Sequence, residues 1–176
     1  MKTYNLKLKI ITPFGNLFRT KTVAIIVKNS KNEFLLGSKP SFYPPTITRL
    51  LGGGFKEKET PENATKRELV EELGVEVDEK HIKHLVIINI KAKDETGEIY
   101  NTKINLLNVD KPIDEYSPGD DVKFIDILKT HEMKELVKAY ENLSELLWYK
   151  GEEGEFCWKD YGQVYSVVHS LALEHS

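Results

Sequence analysis

Tyr4, Leu6, Leu8 and Ile10 alternate with Asn5, Lys7 and Lys9 at the start of the chain. A period of two sends one set toward a core and the other toward solvent, which predicts a half-buried strand. Pro13-Phe14-Gly15 breaks it. Val23 to Val27 is a continuous apolar run rich in β-branched residues, as expected of a strand covered on both faces. Lys28 to Asn32 reads as a polar turn and Phe34 to Leu36 as the returning strand. A loop containing Pro40, Pro44 and Pro45 then leads to Gly52-Gly53-Gly54. Further along, Leu85 to Ala92 and Ile99 to Leu107 predict two strands joined by the polar turn Lys93 to Glu98, and Val122 to Ile127 a shorter one.

Two kinds of helix interrupt this pattern. Thr60 can cap a helix, Pro61 suits its first position and Gly74 its stop, so a helix is predicted over Pro61 to Leu73. Leu136, Tyr140, Leu143 and Leu147 recur at helical spacing, which predicts an amphipathic helix from about His131 to Trp148. Val164, Val168 and Leu171 suggest one more. Strands mixed with helices, and no internal repeat or linker, predict an α/β fold. We read residues 1–176 as a single domain with a C-terminal helical extension over about 131–176.

Composition narrows the function. Apolar residues make up 40% and charged residues 30% of the 176, a mixture that excludes a disordered chain. The net charge of −3 gives no reason to expect a nucleic-acid duplex as partner. Cys157 is the single cysteine, so neither an internal disulfide nor a thiolate metal cluster can form. The N-terminus lacks a signal-peptide pattern and no run of 18 apolar residues occurs, so we expect a cytoplasmic protein with no membrane span.

Glu68, Glu71 and Glu72 are spaced to share one face of the Pro61–Leu73 helix, with Leu69 and Leu73 opposite, toward the core. Like charges at i, i+4 destabilise a helix, and a structural helix would intersperse lysines, as Glu62 and Lys66 do. Glu68 has Ala64 and Glu72 at i±4, and is expected to receive no cation from either. Arg67 stands four residues before Glu71 and can orient it. Three uncompensated carboxylates suit a hard divalent cation. A solvated acidic face is the alternative meaning of the same residues. The preceding glycines form a loop whose backbone can approach phosphate or metal closely. They do not form a P-loop, since no Gly-Lys-Ser or Gly-Lys-Thr follows.

Together, Gly53, Glu59, Arg67, Glu68, Leu69, Glu71, Glu72, Gly74 and Val75 resemble the Nudix box, Gly-x5-Glu-x7-Arg-Glu-U-x-Glu-Glu-x-Gly-U with U aliphatic. Every fixed position is filled at its spacing. The resemblance implies a Nudix-type α/β/α sandwich with a mixed β-sheet, and a hydrolase that cuts a diphosphate linkage with Mg2+ or Mn2+. It implies Glu71 and Glu72 as principal metal ligands, Glu68 as a further ligand or proton acceptor, and the Gly53 carbonyl as another ligand. Arg67 would hold a glutamate in place and Glu59 would anchor the loop to the helix. Family members often add a downstream acidic residue; the candidates are Asp121, then Asp120, with Glu98 in the hairpin turn, although Pro-Gly-Asp-Asp is also ordinary turn chemistry. Lys56 stands where many members have an acidic residue, which opens the number of metals and makes Lys56 a candidate phosphate contact.

Tyr43 and Arg49, with Phe42, are candidates to stack on a base and pair with phosphate of a small nucleotide-type substrate; packing of the loop by its two aromatics is the competing reading. The proline of the ADP-ribose type and the NADH and coenzyme A signatures are missing. Trp148, Tyr149, Phe156, Trp158 and Tyr161 form an aromatic cluster, either a satellite core or the contact of a homodimer. His169 and His175 are expected to be structural or solvated. Two readings remain open: a hydrolase, and a Nudix-fold module that binds a nucleotide for regulation without cutting it.

Overall fold

The structure is a computed structural model describing residues 1–176. The alternating N-terminal segment forms β1 (Lys2–Lys9), and the apolar run forms β2 (Lys21–Ile26). β3 (Phe34–Ser38) and the short β4 (Arg49–Leu50) precede α1 (Pro61–Leu73). The long hairpin is β5 (Ile82–Lys93) and β6 (Ile99–Val109), followed by β7 (Phe124–Leu128) and α2 (Thr130–Glu141). A second hairpin, β8 (Trp148–Gly151) and β9 (Gly154–Cys157), leads into α3 (Trp158–His175).

Two sheets lie in the middle layer. One has the order β1-β5-β6-β2 and is mixed: β1 runs parallel to β5, β5 antiparallel to β6, and β2 parallel to β6. The other is β4-β3-β7, antiparallel throughout. Bridges from Ile25 to Leu51 and from Thr22 to Gly54 stitch the segment after β4 onto β2, so the glycine run lies along the otherwise open edge of that strand. Period two then divides the core. Val23, Ile25, Leu107 and Val109 face Leu69 and Leu73 of α1 in one cluster. Ala24, Ile26, Ile88, Ile90 and Leu106 face Met133, Leu136, Tyr140, Val164 and Val168 of α2 and α3 in the other. The result is an α/β/α sandwich. Residues from the C-terminal segment share the larger cluster with the strands.

The C-terminal segment departs from the expected pattern. The helix from His131 ends at Glu141 rather than reaching Trp148. Asn142 folds its side chain back onto the Lys138 carbonyl at 2.8 Å, and Ser144 accepts from Leu146 N–H at 3.1 Å, local bonds that compete with helix continuation. The chain then turns into the β8–β9 hairpin and α3, where Phe156 of β9 and Trp158 and Tyr161 of α3 are buried while Trp148 stays exposed. Phe42 meets Tyr149 and Trp158 with centroids 4.9 and 5.4 Å apart, so this loop is held by aromatic packing.

A carboxylate helix facing a cationic cleft

α1 begins and ends as its sequence dictates. Thr60 accepts a hydrogen bond from Asn63 N–H at 3.1 Å, and Gly74 closes the helix in the left-handed region, φ 65°. The loop beyond Tyr116 adds to that end: Ser117 and Gly119 donate N–H bonds to the carbonyls of Leu73 and Glu72, at 2.8 and 3.0 Å. The helix is thereby fixed in register against the glycine run.

Arg67 organises the polar face. Its guanidinium makes a bidentate pair with Glu59, 2.8 and 2.9 Å, and donates to the Gly54 carbonyl at 2.8 Å. The same group reaches Glu68 at 2.6 Å and Glu71 at 3.1 Å. Glu68 therefore does receive a cation, not from its i±4 neighbours but from its own chain neighbour, folded over the helix by Glu59. Lys56 reaches Glu71 at 3.2 Å, and its N–H donates to Glu59 at 2.8 Å.

Glu72 lies deeper, 6% exposed, and accepts from Gly52 N–H at 2.8 Å. Burial pushes its pKa up to about 8, reinforced by the Glu68 and Asp121 carboxylates and opposed by Arg49 and the Gly52 amide. Burial also raises Glu68, against the pull of Arg67. The glycines are required by contact. At Gly52, φ is +138° and a Cβ would fall 2.1 Å from the Val23 carbonyl oxygen; at Gly53 a Cβ would fall 2.3 Å from Glu68 Oε1.

These groups border a cleft of about 680 Å3. Gly53, Glu68, Glu71, Glu72 and Asp121 line it, as do Tyr43 and Arg49. Asp120 and Glu98 are not among the lining residues, and Lys56 stands just outside, attached through Glu71. Arg49 donates to the Gly52 carbonyl and the Tyr161 hydroxyl, both at 3.3 Å, and lies over the Tyr165 ring. Three lining cations escape sequence reasoning: Arg19, Lys21 and Lys39. Arg19 and Lys21 flank the start of β2 and Lys39 follows β3, and only the fold gathers them; the run Arg19-Thr20-Lys21 was the available signal.

The donor set consists of carboxylate and carbonyl oxygens, which fits a hard divalent cation. The space that a Gly53 side chain would fill adjoins Glu68. As the side chains stand, no three acidic, histidine or cysteine groups converge as a ligand cluster; Arg67 occupies one oxygen each of Glu68 and Glu71. Arg67 leaves the second oxygen of each of these carboxylates to other partners.

Comparison with known proteins accords with this geometry. The family pattern described as NUDIX domain matches residues 18–164. Among proteins of curated function, none matches the chain significantly. A mutator MutT protein from Bacillus halodurans is similar in structure, with TM-score 0.55 and 22% identity over 66% of this chain and 72% of that one. A MutT/nudix family protein from Enterococcus faecalis gives 0.51 and 20% over 66% of this chain; the match spans only 45% of that chain. The NUDIX domain of Shewanella oneidensis NrtR, complexed with ADP ribose, gives 0.51 and 17% over 72% of this chain and 89% of that one.

Proposed function

We infer function from one premise, that this chain belongs to the NUDIX domain family. It is a Nudix-type pyrophosphohydrolase, and its substrate is a small nucleoside diphosphate derivative such as a nucleotide sugar, an ADP-ribose-like compound or a nucleoside triphosphate. The observation that carries this reading is the placement of Glu68, Glu71 and Glu72 along one wall of a cleft into which Arg19, Lys21, Lys39 and Arg49 also project. Such a cleft suits an anionic ligand bridged to carboxylates by a cation.

Nudix hydrolases use divalent cations, and Mg2+ or Mn2+ is the choice proposed here. Glu71, Glu72, Glu68 and the Gly53 carbonyl would hold it. When bound it neutralises phosphate oxygens and acidifies the attacking water. Where it does not itself ligate the cation, Glu68 would take the proton of that water as the oxygen bonds to one phosphorus and the bond to the bridging oxygen breaks. Asp121, which also lines the cleft, is the second proton acceptor. Arg67 positions the glutamates and keeps Glu59 locked to the loop. Arg49 meets phosphate oxygens and Tyr43 supplies a face for the base, while Lys56, at the edge of the cleft on Glu71, would reach phosphate only by leaving that carboxylate. A cytoplasmic location is proposed, with which a chain carrying one cysteine, Cys157, free and buried, is consistent.

A second reading, a binding module without turnover, is favoured by one observation: Arg67 already neutralises two of the glutamates. Phosphate-release assays over nucleoside triphosphates, nucleotide sugars, ADP-ribose and dinucleoside polyphosphates, each with Mg2+, Mn2+ or chelator, decide between the two. Metal-dependent cleavage of one class is the expected result. Binding without cleavage across the panel would overturn it.

A further inference from the structure

The lysines of the mixed sheet face one another. In the parallel pairing of β1 with β5, Lys7 stands opposite Lys91 and Lys9 opposite Lys93. In that of β2 with β6, Lys21 stands opposite Lys103. The β5–β6 register places Asn101 beside Lys91 and Lys103 beside Asn89, and Asn89 faces Asn5. Residues directly opposite across paired strands share a face, so all three lysine pairs and the asparagines between them occupy the same side of the sheet. This is the side of α1, which covers only the other end, at Ile82, Leu107 and Val109.

Like charges directly opposite are destabilising in a sheet. No acidic partner relieves them: the lysine ion pairs of this protein are made by other lysines. A chain with net charge −3 has nevertheless gathered six cations on one surface. Lys7, Lys91 and Lys103 line a shallow groove of about 440 Å3 there, together with the three asparagines. Thr20 borders both this groove and the carboxylate cleft. The basic surface thus runs through Lys21 and Arg19 into the cleft, where the Arg19 guanidinium lies 2.9 Å from the Cβ position of Gly54.

The occupant must be a long anion. A broad sheet face cannot enter the groove of a duplex, which admits a helix or a narrow ribbon. A bilayer calls for a broad apolar wedge beside the cations, and here the exposed large apolar residues are two separate ones, Ile99 at the row's end and Phe18 at the cleft rim. A flexible single strand fits better. Lysines two apart on a strand are about 7 Å from each other, a spacing that can follow successive phosphates, while the carboxamides reach base edges. Phe18, 67% exposed and edge-on to Tyr100, offers a stacking surface at the cleft rim.

We propose that this lysine face binds the backbone of a single-stranded nucleic acid and leads its phosphorylated end toward the cleft. The last part rests on the hydrolase reading; the docking does not. The test is fluorescence anisotropy with a labelled oligo-U RNA, alongside oligo-dT, a duplex of equal length and phosphatidylserine vesicles. Single strands should bind best, with log affinity falling against log salt at a slope of about −4 for six neutralised phosphates. Lys91→Glu/Lys103→Glu puts a carboxylate opposite Lys7 and another opposite Lys21, so the double variant should melt no lower than the parent while binding at least tenfold more weakly. Turnover of mononucleotide substrates should not change. Parental affinity in the variant, preference for duplex or vesicles, or no binding at all would overturn the proposal. Strand binding in a protein silent on every small substrate would instead count against the hydrolase reading.

Discussion

Nε2 of His169, on the last helix, accepts a hydrogen bond of 3.1 Å from the backbone N–H of Leu50. Nδ1 therefore carries the proton and donates it to the Tyr165 carbonyl at 2.6 Å. A neutral, fully buried ring joins α3 to the strand that delivers Arg49 on one side and Gly52 on the other. The histidine near the C-terminus is structural, and its structural task is to seat the loop of the site.

A dependence of stability on acid follows. Burial depresses the His169 pKa to about 4 from 6.5. Above about pH 6.5 the ring is neutral in both folded and unfolded chains, and the full stability is present. As pH falls toward 4 the unfolded chain takes up a proton that the folded chain refuses, so stability drops by up to about 3 kcal/mol and then levels. Urea unfolding across this range should show the loss, and His169→Gln, which keeps an acceptor for Leu50, should lack that increment. Equal pH dependence in parent and variant would contradict the assignment.

Glu72 titrates with the opposite consequence. Its pKa of about 8 when folded means its contribution is complete below the ordinary carboxylate pKa and is lost as pH rises through 8. With chelator present, the parent should lose about 1 kcal/mol between about pH 7 and 9. Glu72→Gln should not, while its turnover falls by a hundredfold or more. Glu71, more exposed, gives a contrast: Glu71→Gln should hold stability within about 0.5 kcal/mol yet also lose turnover by orders of magnitude. Near-normal turnover in either folded variant would remove these residues from the metal-binding assignment.

The legible parts of this protein are those written in local chemistry. α1 runs from Pro61 to Leu73 because Thr60, Pro61 and Gly74 bound it within one segment, and β1 shows its burial in strict alternation. The β8–β9 hairpin was hidden because Leu143 and Leu147 continue the helical spacing of Leu136 and Tyr140, although Leu147 is 40% exposed. The turn Gly151-Glu152-Glu153-Gly154 was the signal against a helix there. The partners of Arg67 were half legible: Glu71 at i+4 follows from helix geometry, whereas Glu59 and the Gly54 carbonyl depend on how the loop returns. Arg19, Lys21, Lys39 and His169 meet the site only through tertiary packing, which no local pattern records.

Arg67 is a test of fork geometry rather than charge. Its guanidinium serves Glu59 twice, Gly54, Glu68 and Glu71 at once, and an ammonium offers a single point. Arg67→Lys should therefore lose about 1–3 kcal/mol in urea unfolding, with the cost shared by Glu59→Gln and much reduced when both changes are combined. Additive losses in that cycle would show that the pair does not act as a unit.

The two glycines ahead of the box helix should fail in different ways. A methyl at Gly52 meets the Val23 carbonyl oxygen at 2.1 Å, in backbone held by the β2 bridges, and in a conformation, φ +138°, that side chains rarely adopt. Neither side can yield, so Gly52→Ala should cost more than about 3 kcal/mol and express poorly. A methyl at Gly53 meets the end of the Glu68 side chain instead, Oε1 at 2.3 Å and Cδ at 2.7 Å, and that carboxylate can rotate away. Gly53→Ala should fold with a loss of about 1 kcal/mol, yet displace Glu68 from the cleft and cut turnover at least a hundredfold, with the Tm gain on adding Mg2+ reduced as well. A Gly53→Ala protein with parental turnover would show that Glu68 need not stand where the loop now holds it, and the role of proton acceptor would pass to Asp121.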